Sequence, residues 1–308
     1  MPKSALSPRE LALAIGVSES SVKRWADDGH IAIAKTAGGH RRIPIADAIQ
    51  FIRTRRLTIE RPEILGLCEL VGLDEASRSI ASPPAEQLRT FLVEGKSAEV
   101  RGLVLSWYLA GQSIASIGDD CVRPALEVIG ALWLESSEGI FIEHRASDLC
   151  LAALHQLSAY LPARTSGPVA LGGACSGDSS LLPSTLVALV LTEHGFRTQN
   201  LGARTPIDTL AHAIARERPE LVWISANHIE DARAFDRDLI ALTATLDRYD
   251  VMAIGGGRAL SGLANPVGPR LRVAKSLTEL AAWVDGWNRR AMSPDDSDDS
   301  SSKGRRGD

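Results

Sequence analysis

Apolar residues along this 308-residue chain change their spacing from one stretch to the next, and each change predicts a different kind of unit. Leu11, Ala14 and Ile15 recur at i, i+3, i+4 behind Ser7-Pro8. That spacing predicts a short helix capped by the serine, with the proline in the first turn, where a missing N–H costs nothing. Gly16 ends it and Ser18 opens a second helix, with Val22, Trp25 and Ala26 inward and Ser20, Ser21, Lys23 and Arg24 outward. Gly29 stops that helix. Two short helices about a glycine turn predict a helix-turn-helix whose second helix is the recognition helix. Ile31 to Lys35 and Arg42 to Pro44 read as small strands around Thr36-Ala37-Gly38-Gly39-His40-Arg41, a hairpin wing. Pro44 to Arg53 reads as a third helix packing through Ile45, Ala48, Ile49 and Ile52.

The pattern weakens over residues 58–84, where Arg61-Pro62 and Ser82-Pro83-Pro84 break it; this reads as a linker with a short helix from Ile64 to Leu70. Residues 85–163 are helical in pattern. Leu88, Phe91 and Leu92 mark one helix, and Val100, Leu103, Val104 and Trp107 a second. Ile114 to Trp133 gives a third, with a kink or boundary at Pro124, and Ile140 to Leu161 a fourth. Four amphipathic helices with short connections predict a small four-helix bundle. Strands near 168–173, 197–201, 220–225, 250–254 and 270–274 then alternate with helices at 184–194, 206–216, 231–246, 258–264 and 276–290. This alternation predicts a doubly wound α/β domain over 166–290, with any ligand at the carboxyl ends of its strands. The loops there carry Gly177–Ser180, Ser225-Ala226-Asn227-His228 and Gly255-Gly256-Gly257, and three glycines admit a flat, bulky ligand close to the backbone. Residues 291–308 are polar and predicted to be disordered.

Composition narrows the function classes. With 44% apolar and 23% charged residues, and no run near the ~18 apolar residues of a membrane span, no membrane partner is expected. The first residues lack a signal-peptide pattern, so a cytoplasmic protein is expected. Cys68, Cys121, Cys150 and Cys175 form no CxxC pair and read as reduced, mostly buried thiols, with no metal site. The net charge of −4 hides an asymmetry. Residues 1–57 hold ten Lys/Arg against five Asp/Glu, or +5, which leaves −9 on the remainder. A basic module on an acidic body points to a polyanion partner.

Ser20-Ser21-Val22-Lys23-Arg24-Trp25, followed by Thr36-Ala37-Gly38-Gly39-His40-Arg41-Arg42, resembles the MerR-type winged helix-turn-helix. The resemblance implies a double-stranded DNA operator as partner, met by Ser20, Ser21, Lys23 and Arg24 on the helix and by Gly39, His40, Arg41 and Arg42 on the wing.

The last domain, from its first strand through Gly177-Asp178-Ser179-Ser180-Leu181-Leu182-Pro183, resembles the flavodoxin-like cobalamin-binding domain of corrinoid methyltransferases, mutases and MerR-type photoreceptor repressors. Their loop reads Asp-x-His-x-x-Gly and its histidine coordinates cobalt from below. Here the aspartate falls on Asp178, the histidine on Ser180 and the glycine on Pro183. Trp133, nine residues, then Glu143-His144 is similar to the signature of the helical cap that covers the corrin. The resemblance implies ligand positions at Trp133, Glu143, His144, Asp178, Ser180, Ser225, Gly255 and Gly256. Leu134 stands where light-sensing relatives carry a second histidine, so their bis-histidine photoproduct is not expected; Asn227 replaces a leucine. Three readings stay open. The domain binds cobalamin with the lower ligand supplied by the vitamin's own base or by water; it holds another tetrapyrrole or flat ligand touched by His144 or Cys175; or it binds nothing and serves oligomerisation and protein partners.

The chain is thus expected to be a multidomain regulator and not an enzyme: a winged helix-turn-helix, a four-helix bundle and a doubly wound α/β domain. Operator binding would be controlled through ligand- or light-linked assembly of a dimer or tetramer. A regulator answering to a protein partner is the alternative. A corrinoid carrier or methyltransferase component is the rival from another class, against which Ser180 and the winged module both weigh.

Overall fold

The computed structural model describes residues 4–35, 37–71, 73, 85–132, 137–162, 166–261 and 268–292. Helix α1 (Pro8–Ala14) starts where Ser7 predicts. Ser7 Oγ accepts the Glu10 N–H, and Glu10 returns the bond to the Ser7 N–H at 2.7 Å, a reciprocal cap worth ~1 kcal/mol. Helix α2 (Glu19–Asp27) follows, capped by Ser18. Strand β1 (Ala5–Leu6) is too short to show alternation and was not expected from sequence. It pairs antiparallel with β3 (Arg41–Pro44), setting Leu6 opposite Ile43, and both side chains are fully buried. Strand β2 (Ala34–Lys35), shorter than predicted, pairs with the other edge of β3 to close the hairpin. Helix α3 (Ile45–Arg55) runs two residues beyond its predicted end, to Arg56 in the left-handed conformation.

In place of the helix expected from Ile64 to Leu70 stand two 3₁₀ turns, Pro62–Leu65 and Cys68–Leu70. They bury Leu65, Leu67 and Leu70 against the helices that follow. Those are α4 (Ala85–Glu94), α5 (Ser97–Leu109), α6 (Ile114–Ser116), α7 (Arg123–Leu132) and α8 (Ser137–Ser158). The last of them starts and ends three residues before its predicted limits. The single helix predicted over 114–133 is split by a π-helical turn, Ile117–Val122, in which the Arg123 N–H reaches the Gly118 carbonyl. Pro124 has no N–H to give and crowds the turn before it, and a widened turn relieves both.

The α/β domain comprises β4 (Val169–Ala174), α9 (Leu182–Glu193), β5 (Arg197–Asn200), α10 (Ile207–Glu217), β6 (Leu221–Ser225), α11 (Ala232–Tyr249), β7 (Met252–Gly256), α12 (Arg258–Ser261), β8 (Leu271–Val273) and α13 (Leu277–Met292). Its five strands are parallel, in the order β5-β4-β6-β7-β8. The order reverses between β4 and β6, which is where such sheets open a crevice.

One contiguous apolar core runs from Leu6 through the helices to Val284, so the N-terminal unit is packed onto the rest of the chain. Polar ties reinforce it, among them Gln50 of α3, which donates to Tyr108 Oη and to the Tyr160 carbonyl. Arg53 of α3 donates to the carbonyls of Tyr108 (3.0 Å) and Gln112 (2.9 Å) and to Glu193 Oε1 (2.9 Å), with its guanidinium 4.3 Å above the Tyr108 ring. The other Glu193 oxygen accepts the Ile114 N–H at 2.9 Å, so three units meet at one ion pair. Asp119, on the π turn, is buried and accepts N–H bonds from Leu277 (3.1 Å) and Thr278 (2.8 Å) at the start of α13.

Arg53→Ala strands a mostly buried Glu193, and loss of one partner of such a pair costs ~3 kcal/mol. The urea midpoint of the full chain is expected to fall accordingly, with Arg53→Lys recovering part of the loss. An unchanged midpoint for Arg53→Ala means that the pair with Glu193 does not help to hold the N-terminal unit.

Candidate functional site

Two surfaces are built for chemistry. On the first, α2 presents Ser20, Lys23 and Arg24 to solvent while Val22 and Ala26 anchor it. Ser21 is half-buried in the cap, its hydroxyl 2.9 Å from Ser18 Oγ. Lys23 pairs with Glu19 at 2.8 Å, an exposed contact worth little to stability. Arg41 behaves differently. It reaches Asp27 at 2.7 Å and the Lys23 carbonyl at 3.4 Å, tying the wing to the end of the recognition helix. Arg42 lies 3.9 Å from Glu10, and His40 is exposed. Gly39 sits at the hairpin tip with φ +76° and open space where a Cβ would stand, so backbone conformation, not crowding, calls for glycine there.

The second surface is the carboxyl edge of the parallel sheet. Asp178, 2% exposed, spends one carboxylate oxygen on the Ser180 N–H (3.0 Å) and the other on the Asn227 N–H (2.7 Å). Ser180 points its side chain to solvent, and Pro183 occupies the first turn of α9. Buried Ser225 lies below, its Oγ 3.3 Å from Asn227 Nδ2. A Cβ on Gly255 would lie 2.7 Å from Leu260 Cδ1, and one on Gly256 3.3 Å from the Ala274 carbonyl. These glycines therefore already have neighbours within the chain.

Two of the remaining expected positions lie in the helical unit. Glu143 and His144 lie on α8, 3.5 Å from each other, with His144 74% exposed. No hydrogen bond or ion pair joins them to the sheet's loops among the described residues. Trp133 and Leu134 fall outside the described residues. Cys175 is buried, and burial first, then the nearby Asp178, pushes its thiol up to about 11.

A corrin ligated from below by a histidine needs that side chain within reach of the crevice and a partner to orient it. Serine is a poor ligand for cobalt, and both oxygens of Asp178 are taken by backbone. The residues present do not fit a histidine-ligated corrinoid.

Several residues that shape the site were not singled out by their sequence. Trp223, 1% exposed, donates from Nε1 to Ser184 Oγ (3.0 Å), which donates to Asn200 Oδ1 (2.9 Å). Its partner across the sheet is Gly172, whose Cβ would lie 2.5 Å from the indole. A glycine pair inside a central strand was the available signal that something large lies against it. Arg53, Glu193 and Asp119 gave none, since each acts across more than fifty residues of chain.

A helix-turn-helix domain family matches residues 5–56. The HTH-type transcriptional repressor CarH of Myxococcus xanthus is 26% identical over 262 residues, spanning 80% of this chain and 87% of that protein. The repressor CarA of the same organism is 24% identical over 218 residues, 70% of this chain and 75% of its own. Among solved structures, the Methanosarcina barkeri monomethylamine corrinoid protein superposes with a TM-score of 0.52 at 18% identity, covering 64% of this chain and 94% of that one. At that identity the likeness is one of fold.

Two measurements follow from the geometry. Asp178→Ala removes a buried acceptor from two N–H groups and is expected to destabilise the protein by ~2 kcal/mol in thermal or urea unfolding, while Ser180→Ala changes little. An Asp178→Ala chain as stable as its parent would show that the carboxylate holds nothing. Burial also pushes Cys121 and Cys150 up to about 12, so at pH 8 a thiol-specific reagent should label exposed Cys68 quickly and the other three only after unfolding. Rapid labelling of a second thiol in the native protein contradicts this burial.

Proposed function

We propose that this chain is a DNA-binding transcriptional regulator of MerR type. Its N-terminal helix-turn-helix reads an operator, and its second half is a regulatory body built on the cobalamin-domain fold. The observation that carries the reading is an exposed recognition helix and a hairpin pinned beside it by Arg41, on a unit matched by a helix-turn-helix family. Lys23 and Arg24 meet the groove, and the Gly39–Arg42 tip meets the backbone, where its glycine permits close approach to a phosphate. The named relatives are repressors, and a regulator rather than an enzyme is what the basic head on an acidic body supports.

A single small head binds weakly. Two or more copies joined through the regulatory body would place heads on half-sites about 10 base pairs apart, and avidity would supply the rest. Val128, Ile140 and Phe141, exposed on α7 and α8, offer apolar surface for such assembly. Ser180 stands where a corrinoid's lower histidine would be expected, and its hydroxyl is a poor ligand for cobalt.

The test is selection of genomic fragments on the purified full chain, followed by titration of the selected operator. Arg24→Ala is expected to weaken binding about tenfold and to lower the salt slope by about one. Gly39→Val, which strains a φ of +76°, should weaken it without changing that slope. A chain that enriches no fragment, or an Arg24→Ala variant that binds as its parent does, sinks the reading.

A further inference from the structure

We infer that the regulatory body is closed by its own residues and works without a tetrapyrrole or other cofactor in the crevice of its sheet. The inference deepens the regulator reading and rests on it only for the consequence to DNA. In a doubly wound sheet the crevice opens where strand order reverses, here between the loops after β4 and β6. Those loops are buttoned together. The Asn227 N–H is held by Asp178 at 2.7 Å, above the last rung of the β4–β6 ladder, where the Cys175 N–H meets the Ser225 carbonyl at 2.9 Å.

The loop after β7 is sewn to the same seam. The Ala226 N–H donates to the Gly256 carbonyl (2.9 Å) and the Ala259 N–H to the Ala226 carbonyl (3.0 Å). Gly257, at φ +109°, comes so close to Ala226 that any Cβ would collide with its backbone. On the other flank, the Arg204 N–H donates to the Asp178 carbonyl at 3.0 Å. Below the edge, the Trp223 indole occupies the space between the sheet and α9, hydrogen-bonded to Ser184 and lying on Gly172.

A ligand that parts the loops above the strand ends has to break the bond between Asp178 and Asn227. Parting the loops would take the Asn227 donor from a carboxylate that is 2% exposed, and a buried charge that loses a donor is costly. An entering group recovers that cost only through new contacts. The side chain nearest to a metal-ligand position, Ser180, offers a hydroxyl, which is a poor return. The buried aspartate thus performs inside the protein the tie that would otherwise wait for a ligand. The regulatory body stands in one state, and the DNA-binding head fixed to it by Arg53 answers to assembly or to a protein partner, not to a chromophore.

The full chain should be incubated separately with hydroxocobalamin, adenosylcobalamin and haemin, desalted, and examined by absorption and thermal unfolding, with a corrinoid protein taken through the same column as control. Hydrogen exchange of the Asn227 and Ser180 amides should be measured alongside. The expected result is no retained visible absorption, an unchanged unfolding midpoint, and slow exchange at Asn227 that Asp178→Ala accelerates about tenfold or more. A retained corrin or haem spectrum, or fast exchange at Asn227 in the unmodified chain, overturns the inference. Failure to enrich operator DNA would instead remove the regulator reading and leave the closed crevice standing.

Discussion

A carboxylate taken out of water has to be given donors, and the arrangement of this chain depends on that constraint. Glu193 finds Arg53 and the Ile114 N–H, Asp119 finds the first amides of α13, and Asp178 finds Ser180 and Asn227. In the first two cases the donors come from another part of the chain, so satisfying the carboxylate fixes one unit against the next. In the third they come from two loops of one sheet, so satisfying it closes a crevice. Apolar burial supplies the bulk of the stability, but it is not directional. These ties set the angles at which the units meet.

The same ties connect the second helix of the N-terminal unit to the crevice of the sheet. The recognition helix packs against α3 through Trp25 and Phe51, whose ring centroids are 5.1 Å apart, and α3 carries Arg53 to the junction with α5 and α9. Helix α9 begins at the loop that holds Asp178 and ends at Glu193. One helix therefore runs from the closed crevice to the anchor of the DNA-binding head. In a protein whose crevice opened, that helix would be the element to move. Here Trp223 and Ser184 hold its start against the sheet and Arg53 holds its end.

Local features were legible in the sequence where their cause is local. Ser7-Pro8 and Ser18 announce α1 and α2 because a cap and its helix lie within four residues, and the central strands β4, β6 and β7 stand out as short apolar runs that are buried, whereas β5 is a polar, mostly exposed edge. Strand β1 was not legible, since two residues carry no period. Pro124 marked a disturbance without revealing that the turn before it would widen, or that the widening would aim Asp119 at α13. At the site, Asp178 could be picked out but its partner could not. A backbone N–H at Asn227, forty-nine residues away, leaves no signature in residue type. The glycines at 255–257 were visible too, but whether a glycine makes room for a ligand or for Ala226 and Leu260 is decided by tertiary packing.

The most direct measurement is the affinity of the full chain for its selected operator, followed by fluorescence anisotropy, in the dark and after green light, with and without adenosylcobalamin. A closed regulatory body carrying a fixed DNA-binding head predicts one dissociation constant under all four conditions. An affinity that shifts with the cofactor, and shifts back on illumination, would show that the crevice opens and would contradict the central claim.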